Sequence, residues 1–149
     1  MRFSGSILLF IVFFIMMQLA NAAESGAASD RMQVIAENDF ASAKLRLLKN
    51  GDIMSIATTG KPPYNASYFS TAPSDKSLLL QHIQFLLQSA KPNKALAEYI
   101  KHRLPRHPYL KRDNFEMRFT ASDGKKYGII YQSSIESNMY IIHFRNMNL

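Results

Sequence analysis

The chain has no cysteine. That absence removes a disulfide scaffold, a thiolate metal site and a cysteine nucleophile together. The 149 residues also hold no Gly-rich phosphate loop, paired-histidine zinc helix, nucleophile elbow or calcium loop. His102 and His107 stand five apart across a proline with no carboxylate nearby, so no metal site is expected there. His82 falls in a strongly apolar helical pattern and reads as a partly buried, hydrogen-bonded side chain. No cofactor and no metal are expected. Long apolar runs are missing too: residues 7–17 form a run of eleven, against the roughly 20 that span a bilayer. Residues 101–112, finally, contain no carboxylate.

The short apolar run fits a different role. Arg2 precedes it, Gln18 breaks it, and Ala20-Asn21-Ala22 follows as a small-x-small site. This is the layout of a secretory signal peptide at residues 1–22. A secreted protein is expected, with a bacterial periplasm as the alternative. Residues 23–29 are small and patternless, a flexible tail. Residues 30–149 are enough for one domain with one core. The net charge of +7 drops only to +6 if residues 1–22 are removed. Residues 91–126 hold ten basic and four acidic side chains and so carry the whole excess. Such a local field favours an anionic partner.

Periodicity divides the rest. Ser29-Asp30 looks like a helix start, with Met32, Ile35, Ala36 and Phe40 at near-helical spacing. Residues 44–48 fit the last turns of that helix, capped by Gly51, or a strand that turns at Asn50-Gly51. The β-prone residues after the turn favour the hairpin. Residues 60–74 contain Pro62, Pro63 and Pro73 around Tyr64, Tyr68 and Phe69, and are expected to be an aromatic loop. Ser74-Asp75 starts the clearest helix. Leu79, Ile83, Leu86 and Leu87 make its apolar stripe, and Leu78, Leu80 and Phe85 widen it. A second helix runs through Leu96, Tyr99, Ile100 and Leu104 until Pro105 stops it. From Asn114 the period becomes two, and three strands form a meander. The expected fold is α+β: two central helices on an antiparallel sheet that includes a C-terminal three-stranded meander, extended by an N-terminal hairpin if residues 44–48 are a strand.

Residues 101–112, at the junction of helices and meander, hold five basic side chains and two of the four histidines. Lys101, Arg103, Arg106, Lys111 and Arg112 with Tyr109 are the first candidate contact surface. Pro105 and Pro108 should hold it in a fixed geometry. Tyr64, Tyr68 and Phe69 are the second. The expected partner is a protein with an acidic surface, as for an effector, inhibitor or immunity-type protein. A periplasmic envelope accessory protein is an alternative, and RNA is an alternative ligand. Asn65-Ala66-Ser67 is one acceptor sequon for N-glycosylation.

One constellation suggests chemistry. Glu116, Arg118 and His143 lie on strands of the meander in the order carboxylate, arginine, histidine. The order resembles that of secreted microbial ribonucleases, over residues 116–143 only. The resemblance implies Glu116 as base on a 2′-hydroxyl, Arg118 as stabiliser of charge on phosphorus, and His143 as acid to the leaving oxygen. In that family the arginine usually stands on a separate strand, whereas here it is two residues away. A two-residue turn at Asp123-Gly124 would set Glu116 opposite Tyr131 and Arg118 opposite Ile129. The plainer reading is a solvated Glu–Arg contact.

Overall fold

The computed structural model describes residues 32–70, 76–134 and 136–148. The expected signal peptide, the tail and the helix starts at Ser29-Asp30 and Ser74-Asp75 lie outside the described residues. Four strands come first: β1 (Val34–Asp39), β2 (Ala43–Leu48), β3 (Ile53–Ala57) and β4 (Ala66–Ser70). Helices α1 (Lys76–Ser89) and α2 (Lys94–His102) follow, then two 3-10 turns, Leu104–Arg106 and Pro108–Lys111. Strands β5 (Phe115–Thr120), β6 (Lys126–Ser134) and β7 (Met139–Asn146) end the fold. All seven strands join one antiparallel sheet in the order β1-β2-β3-β4-β7-β6-β5. The α+β class and the C-terminal meander are as expected. So is the hairpin, in which Gly51 takes φ 87° and residues 44–48 are strand.

Three expectations are corrected. Residues 34–39 are a strand, not a helix. None of the six is buried, so the near-helical spacing of apolar side chains there has no core to face. What holds β1 is its ladder to β2, with Glu37 paired to Lys44 at 2.9 Å and to Arg46 at 2.6 Å. Those bonds, Lys44 first, hold the Glu37 carboxyl below its ordinary range. The aromatic loop is also partly a strand: Ala66, Tyr68 and Ser70 of β4 point into the core while Ser67 and Phe69 point out. The prolines stand outside these five residues, so they do not interrupt the ladder.

The third correction concerns register. Gly124 donates its N–H to the Ala121 carbonyl, and Ala121 donates to Lys125. With Gly124 at φ 80°, this is a three-residue loop with a bulge rather than a two-residue turn. Glu116 therefore stands opposite Ile130, and Arg118 opposite Gly128. A shift of one residue reverses which side chains of β6 share a face with β5.

Both helices lie on one face of the sheet. The expected stripe of α1, Leu79, Ile83, Leu86 and Leu87, is its buried side, and Leu96, Tyr99 and Ile100 are that of α2. Asn93 caps α2 by accepting from the Leu96 N–H at 2.8 Å. The sheet answers with rings. Tyr99, Phe119, Tyr127 and Phe144 make one run of ring contacts, and Tyr109, Phe115, Tyr131, Tyr140, His82 and Tyr68 make another. Each such pair contributes about 0.5–1.5 kcal/mol beyond its buried area.

The second run ends at a buried carboxylate. Asp52, 1% exposed, accepts from the Tyr68 hydroxyl at 2.5 Å and from Asn50 Nδ2 at 2.9 Å. Burial, and then the Asp52 charge, push the Tyr68 phenol well above its ordinary value, so it stays a donor. Tyr68→Phe removes that donor and leaves the shape intact. The expected loss is about 1–3 kcal/mol of unfolding free energy, read from the urea midpoint. An unchanged midpoint would show that this bond contributes nothing.

Candidate functional site

The first candidate surface forms a ridge at the end of α2. Lys101, Arg103, Arg106, Lys111 and Arg112 are all exposed. Proline begins each 3-10 turn or follows its first residue, and the turns are closed by backbone bonds from Arg106 to Arg103, His107 to Leu104 and Arg112 to Tyr109. Leu104, fully buried, anchors the first turn. Lys101 in the last turn of α2 also complements its C-terminal dipole. Lys101, Arg103 and Arg106 have no carboxylate partner among the described residues.

Two expected features of the ridge differ. His102 does have a carboxylate nearby, since Glu98, one helical turn earlier, lies 3.2 Å away. His107 instead accepts the Tyr109 N–H through Nδ1 at 3.3 Å. Tyr109 does not stand free to stack on a base. The Arg112 guanidinium covers its ring at 4.1 Å from the centroid, and the Tyr109 ring itself packs against those of Phe115 and His107.

The aromatic cluster is dispersed. Tyr68 is fully buried and cannot contact a partner, because the β4 alternation turns it inward. Tyr64 is half-buried against the core beneath Lys91, whose ammonium lies 5.8 Å from its ring. Of the three, only Phe69 faces the side of the sheet away from the helices, where it meets the His143 ring edge-on.

That outer face, which no described helix covers, gathers the remaining candidates. Opposed residues in an antiparallel ladder point to the same side. The register thus aligns Leu45, Ser55, Ser67, His143, Ile130 and Glu116 in one row across it. Glu116, Arg118 and His143 do share a face. Glu116 and His143, however, are two strands apart, about 10 Å between backbones, with Ile130 between them. Glu116 is engaged by Arg118 at 3.1 Å. The carboxylate and imidazole therefore flank an apolar side chain, not a space for one phosphodiester.

A groove of about 540 Å³ opens beside His143, where β3, β4 and β7 adjoin. Its floor exists because Ala43, Ser55, Ala57 and Ser67 are small while Leu45, Leu47, Ile53 and Phe69 beside them are large. Ser67 Oγ lies 2.7 Å from His143 Nδ1. Burial, and then the nearby Arg145 charge, hold the His143 imidazole below its ordinary value, so it is neutral at pH 7. If Ser67 donates to Nδ1, the ring proton sits on Nε2. The sequon residues have structural partners here: Asn65 Oδ1 accepts from the Asn146 N–H at 2.8 Å, and Ser67 holds His143. Composition gave no hint of Ser55, Ser67 or Arg145. The available signal was the small outward residues on otherwise apolar strands.

No family model, curated protein or solved structure matches the chain.

The histidines make stability depend on pH. His82, 4% exposed, sits between the Tyr68 and Tyr140 rings with its Nδ1 bonded to the Tyr140 hydroxyl. Its pKa is lowered by burial, against an opposing pull from the Asp52 charge. A histidine kept neutral in the fold but protonated when unfolded favours the unfolded chain in acid. Stability should be full above about pH 6.5 and fall below it, by up to about 1.4 kcal/mol per pH unit from His82. His143 acts in the same direction. Urea unfolding at about pH 7.5 and about pH 5.5 reads the fall, which His82→Asn should flatten. An undiminished fall in that variant would assign the dependence elsewhere.

Proposed function

We propose that this is a small exported protein that works by binding another protein, in the manner of an effector, inhibitor or immunity protein. Its ridge of exposed cations meets an acidic surface on the partner. The observation that carries this reading is the combination of charge and rigidity in residues 101–112. Five exposed cations sit on a helix end and two short turns, with no carboxylate within the segment. Cations held in place lose less conformational freedom on binding than cations on a floppy tail. Their shared field speeds encounter with an acidic face and sets orientation. The signal-like residues 1–22 support the export part of the reading.

The test replaces Arg103, Arg106, Lys111 and Arg112 together with serine. Wild-type protein should capture its partner in a pull-down that weakens as salt rises. The quadruple variant should lose capture while keeping its circular dichroism, with only a small fall in melting point from the lost Arg112 contact on Tyr109. Capture retained by that variant would falsify the role of the ridge.

A second reading, RNA as ligand, is favoured by one observation: Glu116, Arg118 and His143 share the outer face. Tyr109, with its ring covered by Arg112, offers it no stacking platform. Purified protein incubated with RNA beside a His143→Ala control decides it. The separation of Glu116 from His143 leads us to expect no cleavage by either. RNA binding that falls steeply with salt would revive this reading, and neither cleavage nor such binding would remove it.

A further inference from the structure

The ridge lies on the helix side of the sheet, and the groove beside His143 opens on the other. What the groove holds is a separate question. Three observations bear on it.

The first is shape. Central strands β3, β4 and β7 supply most of the floor, so it is set by ladder hydrogen bonds on both sides rather than by a loop. Its volume of about 540 Å³ suits a small molecule. The second is charge. Among its lining residues Arg145 is charged and none is a carboxylate. Arg145 has no carboxylate partner among the described residues, and Glu116 on the same face is taken by Arg118. The third is the arrangement of donors. Ser67 fixes the His143 ring, which with Nδ1 accepting leaves Nε2–H as a donor, and the Ser55 hydroxyl stands in the same row. An exposed guanidinium and a ring N–H on β7, at one side of a floor of alanine and serine, match an oxyanion attached to an apolar body.

We propose that this groove binds a small organic anion, whose acid group meets Arg145 and His143 and whose apolar part lies over Ala43 and Ala57. The acid group is a carboxylate or a phosphate, since both present oxygens that guanidinium and imidazole N–H groups recognise. Binding here is independent of the ridge, and loss of one leaves the other standing.

The test is an NMR titration of the purified protein with benzoate, phenyl phosphate and the neutral analogue benzyl alcohol. At least one anion should give saturable shifts at Ser55, Ser67, His143 and Arg145, and benzyl alcohol should not. Whichever anion saturates at lower concentration identifies the acid group. Arg145→Gln should weaken binding about tenfold or more, the scale of a lost charge-assisted hydrogen bond. Ala57→Leu should fill the floor and abolish binding while Arg145 remains. Both variants must keep the wild-type amide spectrum elsewhere, which separates loss of the site from loss of the fold. No saturation at millimolar concentration, an equal response to benzyl alcohol, or shifts confined to Arg103 and Arg106 would each overturn the proposal.

Discussion

The pairing of β4 with β7 is the constraint on which the rest depends. Strands β1 to β4 follow one another through short connections, and so do β5 to β7. Each half is a meander that local turns can close. Only the ladder from Ala66–Phe144 to Ser70–Tyr140 makes them one sheet, and it joins residues some seventy positions apart. Closing a loop of that length is entropically unfavourable, and the cost must be offset by burial. Helix α1 supplies the burial, because it packs on β4 and β7 together and covers the seam. The same seam sets both faces. Inward, it brings both Tyr68 and Tyr140 against the His82 ring. Outward, it brings Ser67 to His143.

The two faces then differ in how they use polarity. On the helix side polar groups are few and paired. Asp52 is held by Tyr68 and Asn50, and His82 by Tyr140, within a field of aromatic rings. Among the described residues no buried side-chain polar atom lacks a partner. Unpaired polar groups there would be costly, so this side is rigid and closed. On the outer face Arg145 has no carboxylate partner among the described residues. The ridge stands on the helix side but outside its buried core. It lies where α2 ends and the prolines prevent another regular turn, and its exposed charge rests on buried Leu104 and half-buried Tyr109.

How far the sequence foretold this follows from how each segment meets the core. Leu79, Ile83, Leu86 and Leu87 were legible because a helix with one buried side must repeat apolar residues at its own period. The C-terminal meander was legible for the same reason at period two. Residues 34–39 misled because all six are exposed, and a pattern without a core behind it carries no information. Strand β4 was hidden for a different reason. Its sequence, Ala-Ser-Tyr-Phe-Ser, has small residues at both inward and outward positions and lies in a proline-rich stretch. Alternation is invisible when the two sides are similar in size. The ridge was legible as a charge run, whereas the groove needed the register of four strands, which no local pattern encodes.

That β4 was hard to read and that it borders the groove have one cause. An uncovered sheet face normally carries β-branched, aromatic or long polar side chains, which shield the backbone and pair across strands. Here Ala43, Ala57, Ser55 and Ser67 stand together on the inner strands of the sheet, each a weaker strand former than the threonine or valine that would fit. The local preference is broken four times in one patch, and the neighbouring large residues Leu45, Ile53 and Phe69 show that bulk is tolerated on this face. A departure from local preference that stability does not require is the kind expected at a site shaped for something else. That patch borders the seam between the two halves, which α1 covers from the other side, so the small residues stand where the sheet is supported by packing beneath it.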